Sequence, residues 1–198
     1  MMNVLMATGK KSVVVMLTTH LIGLYIDSAK SNLADRGIVL GQIITVIHTC
    51  LLSLSKFSIQ YDLKHRIYDL IDLHLQVNGI EQEGINMISA LSIAFKREFL
   101  QDQLEKYWGV VIQGLELVEQ KPVFKAALNC IADIARCEEG RTIQGKLAPV
   151  FEKLVKLMHN NTLDREIKID ILNCFGDLSI GLKAYDDNFV NTLINISN

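Results

Sequence analysis

The sequence predicts an all-α fold, a right-handed α-solenoid of about four helical hairpins followed by one unpaired terminal helix. The first observation behind this prediction is an internal echo, because the segment at 128–135 returns in similar form at 172–179. The second is apolar spacing of three and four residues through both copies, which makes one buried face on each helix. The third is the composition: 49% hydrophobic residues, 7% aromatic residues and 2 prolines favour helices over strands separated by turn residues.

The echo reads LNCIADIA at 128–135 and LNCFGDLS at 172–179. Its spacing of about 44 residues lies in the range of HEAT and armadillo repeats, in which each repeat is a pair of helices. We therefore expect HEAT repeats, in which each hairpin buries its apolar faces against its neighbours.

Turn signals divide the chain into helices joined by short connections, so consecutive helices should be antiparallel. Asn78-Gly79 is expected to end a helix with a left-handed glycine, and Pro122 to stand at a helix start. Helices are expected near 12–28, 37–56, 62–77, 81–96, 98–119, 122–137, 143–159, 164–183 and 186–197.

Pairing these helices in order gives hairpins at 12–56, 62–96, 98–137 and 143–183 in a single solenoid segment, with 186–197 left unpaired. That last helix would carry an apolar stripe without a partner face. Repeat arrays need polar capping repeats at their ends. We therefore expect this chain to be a segment of a longer array.

Charge and hydropathy bound the class of partner. The formal net charge of −2 argues against a dedicated nucleic-acid binder, which would carry a basic excess. Two stretches, 12–26 and 37–55, contain no charged residue, and the second is just long enough to cross a bilayer. Polar residues spread through its middle favour a solenoid helix covered on several sides, so membrane insertion is the lesser alternative.

The sequence contains no pattern that points to catalysis, to a cofactor or to a metal ion. The five histidines are scattered without zinc-ligand spacing, and there is no nucleophile elbow around a serine. The four cysteines lie in apolar helical stretches without a C-x-x-C pair, as expected of reduced core thiols in an intracellular protein.

The polar side of the two echo helices holds the candidate partner-binding residues. Asn and Asp stand four apart in each copy, so each pair lies on one helix side, away from the apolar stripe. Stacked repeats would join these sides into a concave surface. The candidates are Lys125, Asn129, Asp133 and Arg136 in the first copy, and Asn173 and Asp177 in the second. The alternative is structural, with the two aspartates holding neighbouring repeats in register.

The later part of the chain resembles the importin-β (karyopherin-β) family. The resemblance is carried by the run from Gln120 to Arg136, by 150–158 and by Lys168 to Leu178. Its most specific part is Ile-Leu-x-x-Phe-Gly-Asp-Leu at 171–178. The run Glu81-Gln82-Glu83 is also similar to that family, whereas the first 60 residues match only in helical pattern.

The resemblance implies a non-enzymatic nuclear transport receptor segment without a cofactor, present in the cytoplasm and the nucleus, including the nuclear pore. The implied partners are cargo proteins or importin-α, the Ran GTPase in its GTP form, and Phe-Gly nucleoporins. Grooves beside Trp108 and Phe151 are the candidate outer-face sites for Phe-Gly repeats. Trp108 also has a simpler interpretation, as a packed aromatic side chain at a repeat junction.

One alternative function stays open at this point. The same hairpin repeats would serve a HEAT scaffold subunit that assembles a phosphatase or a coat complex. Pattern and composition do not separate it from a transport receptor, and only the resemblance favours transport.

Overall fold

The computed structural model describes residues 2–31, 35–55, 61–137 and 143–182. Within these ranges it contains α-helices and one π-helical turn and no strand, which confirms the predicted all-α class. The helices are α1 (Met2–Ala29), α2 (Arg36–Leu54), α3 (Tyr61–Asn78), α4 (Gln82–Glu98), α5 (Leu104–Gly114), α6 (Lys121–Arg136), α7 (Gln144–Met158) and α8 (Arg165–Leu182), and the π-helical turn is Phe99–Gln103.

The chain divides into two compact units, unit 1 (Met1–Phe95) and unit 2 (Lys96–Asn198). Three of the four predicted hairpins fall inside one unit, and the hairpin 62–96 ends one residue beyond unit 1. The prediction that all four hairpins form a single segment stays a prediction.

In unit 1, α1 packs along both α2 and α3. Leu40, Ile44 and Ile47 make a fully buried stripe on α2, at the three- and four-residue spacing of a helix face. Burying each such side chain contributes about 1.5–3 kcal/mol. This stripe is what fixes the register of the first hairpin.

Unit 2 is organised around the two echo helices. Helix α6 packs against α5 and α8, and α7 packs against α8. Phe124, Ile131 and Phe175 are almost completely buried, and the Phe151 ring lies 4.9 Å from the Phe175 ring, centroid to centroid, in a tilted arrangement. The predicted apolar faces of both copies are therefore the faces that build this core.

The helix boundaries agree with the predictions to within a few residues, apart from two. Gly79 has φ 76° and closes α3 through its N–H to the Leu75 carbonyl at 3.0 Å, as the Asn-Gly signal predicts. Helix α1 begins at Met2 instead of near 12, because the isolated Gly9 costs only about 1 kcal/mol and does not stop a helix.

The expected continuous helix at 98–119 is wrong. A π-helical turn precedes α5, which ends at Gly114, and residues 115–120 form turns. The wider π turn brings Phe99 and Tyr107 into parallel stacking at 6.3 Å, and both rings are buried. Packing of these two rings thus overrides regular helical spacing.

Helix α4 ends with a backbone irregularity. Lys96 has φ 43° and ψ −114°, and a positive φ is uncommon for a residue other than glycine. The apolar spacing around Lys96 does not predict this irregularity. The irregularity falls at the boundary between the two units.

Two further predictions concern the last helix and membrane insertion. The expected helix at 186–197 lies outside the described residues. In the described part, two helices are long and apolar enough to span a membrane by length and composition, Lys10–Ala29 and Arg36–Leu54. Core helices of soluble proteins pass the same criterion, so it does not by itself indicate insertion.

Candidate functional site

The two echo segments lie on α6 and α8, which pack directly against each other. Cys174 donates its S–H to the Leu128 carbonyl at 3.6 Å, so the two copies touch through equivalent stretches of helix. One edge of this helix pair carries polar and charged side chains. We call it the α6–α8 face, and it holds the six inner candidates that the sequence predicted, Lys125, Asn129, Asp133, Arg136, Asn173 and Asp177.

Arg136 joins the two helices at one end of the α6–α8 face. Its guanidinium donates to Asp133 at 2.6 Å on its own helix and to Asp177 at 2.9 Å on α8. These bonds, first the one to Asp133, raise the pKa of Arg136 above its usual value. The two aspartates of the echo are thus brought together by one cation.

Further ion pairs continue along the same face. Lys125 donates to Asp170 at 3.0 Å. Nearer the start of α6, Lys121 pairs with Asp164, and Glu166 lies 4.0 Å away. The hydrogen bond from Lys121 lowers the pKa of Asp164, which is therefore ionised at neutral pH.

The α6–α8 face has more carboxylates than cations. Asn129 and Asn173 lie exposed beside the ion pairs and offer amide donors and acceptors to a partner. The ions on this face are three cations, Lys121, Lys125 and Arg136, and five carboxylates, Asp133, Asp164, Glu166, Asp170 and Asp177. The face therefore favours a partner segment that carries Lys or Arg.

These ion pairs connect α6 to α8, and they also lie on an exposed surface. Pairs between partly exposed groups contribute about 0–1 kcal/mol each, because water and salt screen them. Loss of one such pair would therefore cost little stability. The structural and the binding interpretations of the aspartates are compatible on this geometry.

The outer-face candidates have a different setting. Lys146 of α7 bridges to α5, where it pairs with Glu105 at 2.5 Å and lies 5.9 Å from the Trp108 ring centroid. Both Trp108 and Phe151 are half-buried. Trp108 thus contributes to packing between neighbouring hairpins, and part of each ring stays accessible to a partner.

The cysteines of the echo are not suited to nucleophilic chemistry. Burial raises the pKa of Cys130 well above its usual value and that of Cys174 to about 12. Both therefore stay as neutral thiols at physiological pH, and a thiol is a much weaker nucleophile than a thiolate. No cluster of three metal-ligating side chains occurs among the residues that the structure describes.

Sequence reasoning put Asp170 and Glu166 near the polar side of the second echo helix but missed Asp164, which pairs with Lys121, and it did not predict which charges pair. A signal existed: each cation on α6 has an acidic partner on α8 or directly before it, 41 to 45 residues further along the chain, which is close to the repeat period. Searching for opposite charges one period apart would have found them.

Comparison with known proteins identifies a family that matches this chain. A family described as importin subunit beta-1-like, TPR repeats, matches residues 38–198. Comparison with curated proteins gives no significant match. A solved structure, the crystal structure of importin beta in an ammonium sulfate condition, matches with a TM-score of 0.76 and 19% sequence identity.

The alignment with that structure covers 94% of this chain and 22% of the importin beta chain. At this identity the likeness shows the fold, which is the predicted α-solenoid of paired helices. The family match covers most of the chain, including α2 from residue 38 and both echo helices. The chain therefore belongs to the importin subunit beta-1-like, TPR-repeat family and is a karyopherin-like HEAT scaffold.

Proposed function

We propose that this chain is a segment of a nuclear transport receptor that binds cargo or an importin-α-like adaptor through the α6–α8 face. In this proposal Ran in its GTP form and Phe-Gly nucleoporins are further partners. The receptor would move between the cytoplasm and the nucleus through the nuclear pore. The observation that carries the proposal is the family match over residues 38–198.

The charge of the α6–α8 face supports this proposal. Its surplus of carboxylates attracts basic segments, and adaptor and import signals of that kind are rich in Lys and Arg. Asp133 and Asp177 share a single cation, so an incoming Arg can take up one carboxylate with two parallel hydrogen bonds. Long-range attraction would accelerate the encounter, and the exposed asparagines would fix the register.

The repeat architecture suits such a role mechanically. Each helix pair contacts its neighbours in the array, so small rotations between repeats accumulate over many repeats. A receptor built this way can wrap partners of different shape. Trp108 and Phe151 supply partly exposed aromatic rings on α5 and α7 for Phe-Gly repeats.

A binding assay with the purified chain tests the proposal. The immobilised chain is presented with importin-α, Ran loaded with GTP or GDP, Phe-Gly repeats and phosphatase subunits. We expect capture of importin-α that weakens as NaCl rises from 50 to 300 mM, since screening reduces ionic attraction. Ran-GTP, but not Ran-GDP, should displace it.

Variants of the α6–α8 face supply the matched control. Asp133→Lys together with Asp177→Lys should abolish importin-α capture while circular dichroism stays unchanged. Asp62→Lys together with Asp69→Lys, at exposed positions of α3, makes the same change in net charge and should leave capture intact. Capture of phosphatase subunits without any transport partner would instead support a HEAT scaffold of another assembly and contradict the proposal.

A further inference from the structure

A groove of about 620 Å³ lies within unit 1, between α2 and the start of α4. This volume falls in the range of sites that hold ligands in proteins. The groove belongs to neither the α6–α8 face nor the Trp108 and Phe151 region. It is lined by Gly37, Ile38, Gly41, Gln42, Thr45, Val46, Glu81 and Glu83.

One wall of the groove is an exposed apolar surface. Ile38 is 65% exposed and Val46 is 44% exposed, and both line the groove from α2, about two turns apart. Gly37 and Gly41 stand on the next row of the same helix, and a Cβ at either would meet nothing within 4 Å. Large exposed apolar side chains next to open space mark a surface that gains free energy when a partner covers it.

The other wall is acidic. Glu81 and Glu83 come from the residues at the start of α4. The pKa of Glu81 is raised, first by partial burial and then by the negative charge of Glu83. A cation placed between the two carboxylates would relieve this repulsion.

The length of the groove indicates the shape of its occupant. From Gly37 to Val46 it follows ten residues of α2. The nine steps between them span about 14 Å at 1.5 Å per residue. Thr45 turns its hydroxyl to the Gly41 carbonyl of its own helix at 2.8 Å, so it offers little to an extended polar ligand. A rod-shaped partner with an apolar side, two to three helical turns long, fits such a trough.

We propose that this groove binds an amphipathic helical segment of a partner protein, with apolar side chains on Ile38 and Val46 and a Lys or Arg between Glu81 and Glu83. The mode is that of a helix laid in a groove, with anchors three and four residues apart. The charge of the partner matters, because Glu81 and Glu83 would repel an acidic helix that has the same apolar pattern. The site is separate from the one used in the proposed function and stands without it.

The test uses three labelled helical peptides of 14 residues and the full chain. All three share one helical pattern, with Leu and Lys in the first, Leu and Glu in the second, and Ser and Lys in the third. Fluorescence anisotropy measures binding, and methyl NMR of Ile and Val residues locates it. We expect the Leu-Lys peptide to bind at least tenfold more tightly than the other two and to shift the Ile38 and Val46 methyl signals.

Variants of the groove make the test specific. A Cβ at Gly41 meets nothing within 4 Å, so Gly41→Leu extends a side chain into the trough, and it replaces a poor helix former by a good one, so we expect folding to be preserved. It should weaken the Leu-Lys peptide at least tenfold. Gly109→Leu, at an exposed glycine of α5 that also has open space, is the control and should leave the affinity unchanged.

Charge variants separate the acidic wall from the apolar one. Glu81→Gln with Glu83→Gln should weaken the Leu-Lys peptide and flatten its salt dependence, whereas Asp62→Asn with Asp69→Asn should do neither. Equal binding of the Leu-Glu peptide, or full affinity in Gly41→Leu, would overturn the proposal. So would sedimentation of the chain with phosphatidylcholine vesicles that Gly41→Leu abolishes, because this result would assign the groove to lipid.

Two variants distinguish binding in the groove from binding at the α6–α8 face. The variant with Asp133→Lys and Asp177→Lys should bind the Leu-Lys peptide like the parent chain. Gly41→Leu should capture importin-α like the parent chain. Loss of peptide binding in the first variant would show that the peptide uses the α6–α8 face and would contradict the groove.

Discussion

A buried polar cluster in unit 1 and a set of surface ion pairs in unit 2 show two different uses of polar groups. In unit 1 the Tyr25 hydroxyl lies 2.7 Å from His74 Nδ1, which joins α1 to α3 inside the core, and Asn78 adds its amide at 3.0 Å from the same nitrogen. Unit 2 instead joins α6 to α8 by ion pairs at the surface, such as the pair of Arg136 with Asp177 at 2.9 Å. A buried polar cluster is costly to break, whereas exposed ion pairs are weak and can be exchanged.

This difference separates stability from binding. Unit 1 buries the cluster of Tyr25 and His74 and exposes apolar side chains such as Ile38, which suits a helix-binding groove. Unit 2 buries one apolar stripe on each echo helix, leaves Ile169 and Leu172 of α8 exposed, and carries charge beside the stripe, which suits a basic partner. We therefore expect apolar packing to contribute most of the free energy of unfolding of unit 2 and its ion pairs to contribute little.

The largest expected effect comes from Phe175→Ala. Phe175 is 1% exposed and its ring contacts Phe151, so truncation leaves a cavity at the centre of unit 2. We expect a loss of roughly 3–5 kcal/mol in the free energy of unfolding, the usual cost of such a truncation. Urea denaturation followed by circular dichroism measures it.

Leu172→Ala is the matched control for that experiment. Leu172 stands on the same helix but is 42% exposed. Its truncation should cost well under half as much as that of Phe175. A loss below about 1 kcal/mol for Phe175→Ala would mean that the buried face of α8 is wrongly assigned, since core truncations cost more than this.

The second prediction concerns pH and unit 1. His74 is fully buried, and its Nε2 has no hydrogen-bond partner among the described residues. Burial lowers the pKa of His74, against a smaller opposing effect of the Glu83 charge. Its Nδ1 accepts hydrogen bonds, which requires the neutral ring, and an added proton would turn this acceptor into a donor.

The sign follows from the lowered pKa. The unfolded chain takes up a proton near pH 6.5 that the folded chain resists, so stability falls as pH drops through this value. The slope is at most about 1.4 kcal/mol per pH unit for one group. Urea midpoints between pH 7.5 and 5 measure the loss.

Two variants assign this pH dependence to the buried ring. His74→Gln should remove part of the dependence, because the amide does not titrate. His159→Gln, at an exposed position after α7, should retain all of it. An unchanged pH profile in His74→Gln would show that this histidine is not the titrating group.

Prediction from sequence succeeded where one local rule decided the outcome. Apolar spacing gave the buried faces of α6 and α8, and the Asn-Gly pair gave the left-handed Gly79. Sequence reasoning failed at the π-helical turn, where stacking of Phe99 on Tyr107 sets the backbone, and at Lys96, whose conformation no local pattern signals. These features depend on contacts between turns, which single-helix periodicity does not contain.

In the candidate sites, too, local spacing predicted some features and contacts between helices decided the others. Helical spacing placed Asn129 and Asp133 together on one exposed side, but which cation pairs with which carboxylate depends on how α6 and α8 are aligned. The groove beside Ile38 was beyond reach, because α2 reads as apolar on most of its surface. Only packing reveals which of its apolar residues stay exposed.

The smallest expected effect tests the surface pairs directly. A double-mutant cycle of Arg136→Gln and Asp177→Asn isolates the interaction between α6 and α8 that these residues make. Side chains that are 48% and 27% exposed should couple by about 0.2–1 kcal/mol, and 1 M NaCl should reduce the coupling further. A cycle of Arg136→Gln with Asn129→Ala, which are not paired, is the control.

Coupling above about 2 kcal/mol would exceed that of exposed pairs. Such a value would mean that Arg136 and Asp177 clamp the repeats together, and partner binding by exchange of this pair would then be too costly to proceed.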